Sequence, residues 1–288
     1  MLLDTAMRSR LDRLALRGKR RLRGVWAGSH RSVRLGESLD FADYREYHPG
    51  DDFRRIDYNL WARLGVVLVR LFEAEDEMPL QVVVDSSASM GFGDKFPTAQ
   101  RLAAMVAYLG LASGERVRLV TVPAADRPSL QGPWARHVSA WPRVERWLEA
   151  LEPAGGTDLP AAARLLAAPG GHRGPVVLVS DLLAPGWDNA VDVLGTICGG
   201  VVLHVLGPDE LEPGLSGDLT LRDAETHREL RVSMGQAVME RYRTRATGFV
   251  AEAGRRARRA GMDHVLVTAR PGAVEEALRA MVGKGWVR

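Results

Sequence analysis

The sequence predicts an α/β fold: a doubly wound, mostly parallel sheet with an N-terminal appendage and a late β-hairpin insertion. Two observations carry this. Five short, β-branched runs recur along the chain: "VVVD" (82–85), "RVRLVTV" (116–122), "PVVLVSD" (175–181), "GVVLHVLG" (200–207) and "DHVLVTA" (263–269). Each is too continuously apolar to keep a wet face, as expected of parallel strands covered on both sides. Helical patterns fill the gaps between them, as crossovers in a parallel sheet require.

Taken in order, the chain opens on a basic arm. Residues 1–34 hold ten Lys or Arg and two Asp, a net +8, leaving −5 for the remainder of an overall +3. Leu11, Leu14, Leu22 and Val25 recur near helical spacing among the arginines, so an amphipathic helix is expected there. A basic arm suits an acidic protein, anionic lipid or nucleic acid. Trp26 is its one aromatic, so the stacking platform of a single-strand binder is missing and no specific nucleic acid is expected. The block "LDFADYREYHPGDDFRRIDYNLWARLGVVLVRLFEAEDE" (39–77) is dense in charge and aromatics, with one clear strand near Val66–Phe72. Its Arg, Trp and Tyr suit an interface, while its Asp–Arg pairs read as internal ion pairs. Residues 1–78 are thus expected to form a basic helix and a charged-aromatic appendage packed on a main domain, 79–288.

Within that domain, "FPTAQRLAAMVAYLGLASG" (96–114) puts Pro97 in the first helical turn and Leu102, Met105, Val106 and Leu109 on one face. "PRVERWLEAL" (142–151), "LPAAARLLAA" (159–168), "NAVDVLGTIC" (189–198) and the long stretch 235–261 supply further helices. "LTLRDAETHRELRV" (219–232) alternates polar and apolar and reads as an inserted hairpin. The single cysteine, Cys198, sits in apolar surroundings and reads as a buried thiol rather than a nucleophile. A lone cysteine fits a reducing compartment. No apolar run reaches the roughly 18 to 20 residues of a membrane span. The charged start is unlike a signal peptide. A cytoplasmic protein without a transmembrane segment is expected.

The candidate chemistry lies at strand ends. Sheets of this kind bind ligands at the carboxyl edge, where strand order reverses. Asp85 ends the first strand of the sheet and Asp181 ends another, while "EPAGGTDLP" sets Thr157 and Asp158 on a glycine-rich loop before a helix. Ser87 and Ser89 follow Asp85 directly. Asp85, Ser87, Ser89, Thr157 and Asp181 would then converge with hard oxygens alone, a shell suited to Mg²⁺ or Mn²⁺. With no His or Cys among them, zinc is a poor fit. Asp158 is either a further member or the cap of the helix starting near Leu159.

Asp85-Ser-Ser87-Ala-Ser89, Thr157 in "GGTD" and Asp181 in "VSD" resemble the three-part metal-ion-dependent adhesion site of von Willebrand factor A domains. The preceding "LDFADYREYHPGDDFRRIDYNLWAR" and "LVRLFEAEDE", with the late "LRDAETHREL" hairpin, resemble a bacterial family known as domain-of-unknown-function family fifty-eight. That resemblance spans the chain from about Arg31 onward. It implies a von Willebrand factor A-like fold and a partnership with a MoxR-type AAA+ ATPase in chaperone-like assembly. It also implies that Ser87, Ser89 and Thr157 ligate the metal, with Asp85 and Asp181 acting directly or through water. The sixth position would take a carboxylate from a protein partner, the ATPase or its client. The implied function is non-enzymatic, a metal-dependent protein–protein interaction module.

A rival reading is enzymatic. "SASMG" approaches the G-x-S-x-G nucleophile elbow, and Ser89, Asp181 and His264 follow the α/β-hydrolase order. Against it, Ser87 stands where the elbow needs a small residue such as Gly, and "MGFGDKF" separates Ser89 from its helix. His264 opens a strand and His204 sits inside one, where a packed histidine is expected. The chain has no G-x-x-x-x-G-K-[ST] loop, so any ATP would be hydrolysed by a partner.

Overall fold

A computed structural model describes residues 1–16, 41–49, 51–72, 79–124, 127–168, 174–197 and 199–288. Leu22, Val25, Cys198 and most of the basic arm lie outside the described residues. The chain divides into two compact units, Met1–Leu22 with Met78–Arg288, and Arg23–Glu77. The N-terminal segment therefore belongs with the sheet and not with the charged-aromatic block. Helix α1 (Thr5–Leu11) is capped by Asp4, whose side chain accepts from Met7 N; beyond Leu16 the helix expected in the arm falls outside the described residues. Leu3, Leu11 and Leu16 are buried in the sheet's core.

The unit Arg23–Glu77 is built on an antiparallel pair, β1 (Phe41–Glu46) and β2 (Leu68–Phe72). Between them helix α2 (Tyr58–Leu64) starts at Asp57, which caps Asn59 N and Leu60 N, and stops at Gly65 in the left-handed region (φ 68). Asp57 also takes Arg70 at 2.7 Å and the Tyr44 hydroxyl at 2.9 Å. Those contacts hold its carboxyl down at about 2, with the Leu60 N–H the largest favourable cause. Arg45 grips Asp51 through both guanidinium nitrogens, at 2.7 and 2.8 Å. The expected ion pairs are present within this unit.

The other unit carries five parallel strands, β3 (Leu80–Val84), β4 (Val117–Thr121), β5 (Val176–Ser180), β6 (Gly200–Leu206) and β9 (Met262–Thr268), in the order β4-β3-β5-β6-β9. Alternate residues feed two cores, because successive strand side chains point to opposite faces. Val82, Val84, Val177 and Val179 meet α3 (Lys95–Ala112), α4 (Trp141–Glu149) and α9 (Ala273–Gly283). Val83, Val176 and Leu178 meet α5 (Leu159–Ala167), α6 (Trp187–Ile197) and the second half of α8 (Gln236–Arg259). Helix α6 approaches α8 closely at Gly195, where a Cβ would stand 2.2 Å from the Ala260 carbonyl. Strand β9 departs from expectation: it forms an edge, and Leu266 is exposed, so one of the five runs has a wet position after all. The short helix α7 (Pro208–Leu211) leads into the inserted hairpin, β7 (Gly217–Arg222) with β8 (Glu229–Met234). Among the described residues no helix is long and apolar enough to cross a membrane.

Candidate functional site

Strand β3 lies between β4 and β5, so its successive crossovers leave in opposite directions and open a crevice at its carboxyl end. Asp85 sits there, fully buried. Its Oδ1 accepts from Ser87 N at 3.0 Å and its Oδ2 accepts from the Ser180 hydroxyl at 2.7 Å. Burial, and then the charge of Asp181, push its carboxyl above the ordinary range. The chain next turns through a short 3₁₀ segment, Ala88–Gly91, which brings the Ser87 and Ser89 hydroxyl oxygens to 3.0 Å.

The glycine-rich loop is tied to this turn by two backbone bonds, Ala88 N to Gly155 O and Ala154 N to Ser86 O, both 2.9 Å. Gly155 takes a left-handed φ of 69 that few other residues adopt. Thr157 follows, and its Oγ1 is buried without a hydrogen-bond partner. Asp158 turns out to be a cap: its carboxylate accepts from Ala161 N at 2.8 Å and starts α5.

Asp181 lies at the end of β5 as expected, but its carboxylate is engaged. Oδ1 accepts from Leu183 N at 3.0 Å, and Oδ2 meets the Lys95 ammonium at 2.7 Å. Lys95 is the first residue of α3, and its side chain has no solvent exposure. Its second partner is Glu210 Oε1 at 2.7 Å, whose other oxygen accepts from Gly207 N. Sequence reasoning missed both Lys95 and Glu210. The available signal was a cation in a helix's first turn, where the macrodipole disfavours it unless a carboxylate is near.

The ring of His204 bridges the Asp181 carbonyl, 3.0 Å from Nε2, and His264 Nε2, 3.1 Å from Nδ1. A carbonyl only accepts, so His204 Nε2 carries its proton and Nδ1 accepts from His264. Burial lowers both rings to about 4, with the neighbouring His264 the second cause at His204. His264 thus faces His204, the Asp181 carboxylate faces Lys95, and the Ser89 hydroxyl faces Ser87. The relay Ser89–Asp181–His264 of the rival reading is not assembled.

A further residue reaches the same loops. Glu225, in the turn of the hairpin, puts Oε2 3.6 Å from where a Cβ would stand on Gly156, and its Oε1 is buried without a partner. Burial, then the charge of Asp85, push this carboxyl up, while the Ser89 hydroxyl works against them.

Among the described residues no three His, Cys, Asp or Glu side chains form a metal-holding group. A cation here would rest chiefly on hydroxyls. The donor set fits one: paired serine oxygens, an unpartnered threonine oxygen and a buried carboxylate are all hard ligands.

Comparison with known proteins gives a family and some likenesses of fold. The family model described as "Protein of unknown function DUF58" matches residues 43–251. An uncharacterized protein of Mycobacterium tuberculosis is 29% identical over 272 residues, covering 90% of this chain and 83% of its own length. Among solved structures, the conserved hypothetical protein BatB from Bacteroides thetaiotaomicron aligns with a TM-score of 0.44 and 14% identity, over 72% of this chain and 98% of its own. An aerotolerance-related membrane protein from Bacteroides fragilis aligns with a TM-score of 0.42 and 19% identity, over 72% of this chain and 99% of its own.

Proposed function

This chain belongs to the DUF58 family, and from that premise we propose that it is a non-enzymatic, metal-dependent protein–protein interaction module. The fold would be von Willebrand factor A-like and the site of the metal-ion-dependent adhesion type. Ser87, Ser89 and Thr157 would hold Mg²⁺ or Mn²⁺, with Asp85 and Asp181 beside or behind them. The observation that carries the reading is the buried, unpartnered Thr157 hydroxyl, tied by its loop to the Ser87–Ser89 pair. Such an oxygen is costly to bury unless something satisfies it.

Each residue has a part in keeping the site ready. Ser180 and Ser87 N hold the Asp85 carboxylate in one orientation. Lys95 pairs with Asp181 as well as with Glu210, so the negative charge that Asp181 adds to the crevice is partly offset. The hydroxyls are neutral donors. When bound, the ion would therefore supply a positive charge left largely uncompensated, which favours an incoming Asp or Glu from another protein. The resemblance noted above points to a MoxR-type AAA+ ATPase or its client as that partner.

Calorimetry with Mn²⁺ tests the site: the wild type should give heat of binding and Asp85→Ala none, with circular dichroism checking that both are folded. Equal heats sink the reading. Capture of partners with and without chelator tests the role, and partners retained in chelator and by Thr157→Ala would move recognition elsewhere. A panel of ester and phosphate-ester substrates should show no turnover; metal-independent activity lost in Ser89→Ala would restore the hydrolase.

A further inference from the structure

The hairpin β7–β8 is exposed along nearly its whole length. Its turn is held in a fixed shape by Asp223, whose Oδ1 accepts from Glu225 N, Thr226 N and the Thr226 hydroxyl at 3.0, 2.6 and 2.8 Å. Asp223, Ala224 and Thr226 face solvent, and Glu225 alone among them turns inward. It arrives beside Gly156, next to Thr157. Of the four buried side-chain atoms without a partner among the described residues, two are Thr157 Oγ1 and Glu225 Oε1. Both are oxygens and both belong to this rim; the Thr157 hydroxyl has a proton that a carboxylate could accept, yet the two are not hydrogen-bonded to each other. A cation satisfies both at once.

We propose that Glu225 is the site's own carboxylate: it completes the metal shell from within the chain, at the position an acidic side chain of a partner would take. This rests on the metal-site reading and adds its regulation. A partner gains the ion only by lifting the hairpin.

The hairpin is built to be lifted. Beside it runs an open pocket of about 720 Å³, reached by Ser89 and lined by Leu221, Leu230, Val232 and Tyr242. Leu221 and Leu230 of the hairpin are exposed there rather than packed, so few dispersion contacts hold the strands down. A two-stranded ribbon is marginal by itself. Its anchorage to the rim therefore falls on the Glu225 tip.

The test uses the full chain and Mn²⁺ alone, read by calorimetry and by water-proton relaxation, which counts waters on the ion. In Glu225→Gln the Mn²⁺ dissociation constant should rise about tenfold, and the bound ion should gain about one water as a ligand leaves. Asp223→Ala, which loosens the turn but keeps the carboxylate, should fall between the two. Circular dichroism checks that each variant is folded. Equal dissociation constants and equal water counts in wild type and Glu225→Gln overturn the role of Glu225 while leaving the metal site standing. A wild type that binds no Mn²⁺ overturns the metal site, and this inference with it.

Discussion

The two units use charge in opposite ways. In Arg23–Glu77 two paired cations stay partly wet: the Arg70 side chain is 44% exposed beside Asp57, and that of Arg45 is 34% exposed beside Asp51. In the sheet unit the Lys95 side chain is fully buried between Asp181 and Glu210. Surface pairs add little to stability. A buried pair carries a desolvation cost that well-packed apolar residues would avoid. A chain that keeps Lys95 at the end of its central strands is holding a charge pattern for use rather than for stability. The rim is therefore where local rules are broken, as expected of a site.

The largest effect should come from Lys95→Met, which strands Asp181 without its cation and should cost about 3–5 kcal/mol in urea unfolding. Saturating Mg²⁺ should restore part of the loss if the rim takes a cation. An unchanged midpoint would erase the distinction between the two regions.

Acid comes next. His204 and His264 titrate at about 4 in the folded state against 6.5 in the unfolded chain. Between those values the unfolded state binds more protons, so the stability that His204 contributes falls as pH drops from 6.5 toward 4. The loss is on the order of 3 kcal/mol for that one ring. Asp85, raised by burial, works in the opposite sense as it takes up a proton. In the other unit Asp51 and Asp57 are held at about 2, so their contribution is lost only from the ordinary 3.8 downward. Imidazole titration by NMR should give midpoints near 4; midpoints near 6.5 would mean that the histidine pair is solvated.

Thr157→Val should be smaller and of the opposite sign. Deleting an unsatisfied hydroxyl should stabilise the metal-free protein by up to about 1 kcal/mol while removing Mn²⁺ binding. Stability lost along with binding would argue that the hydroxyl has a partner within the fold. Smallest of all, Arg45→Met should leave the thermal melt close to that of the wild type. A large drop there would make the exposed pair the structural one.

The sheet was legible because its signal is local. All five apolar runs became strands, with ends within about two residues of those read, and Asp85, Ser87 and Ser89 lie within one five-residue stretch. Thr157 and Asp181 followed from placing loops at strand ends. What stayed hidden depends on distance. Lys95 reads as solvated, since lysine is almost never fully buried unless paired, and its partners stand 86 and 115 residues away. Glu225 reads as one more charge on an exposed hairpin. Strand β1 and helix α2 escaped notice because charged residues such as Asp57, the cap, hide their boundaries. Helix α9 has no counterpart in the sequence reading either, although Glu275 and Glu276 mark its first turn.

The hydrogen bond from Ser180 to Asp85 closes 95 residues of chain, and it exists only once β3 and β5 lie side by side. Contacts of such separation are slow to form, because the entropy of closing the loop must be spent before they give anything back. The rim therefore does not exist until that long-range pairing has formed. Nascent or nicked chains, with those two strands unpaired, present scattered hydroxyls and no binding face. On the proposed function, a partner of the rim would meet only chains in which β3 and β5 are paired, so its binding would also read maturity.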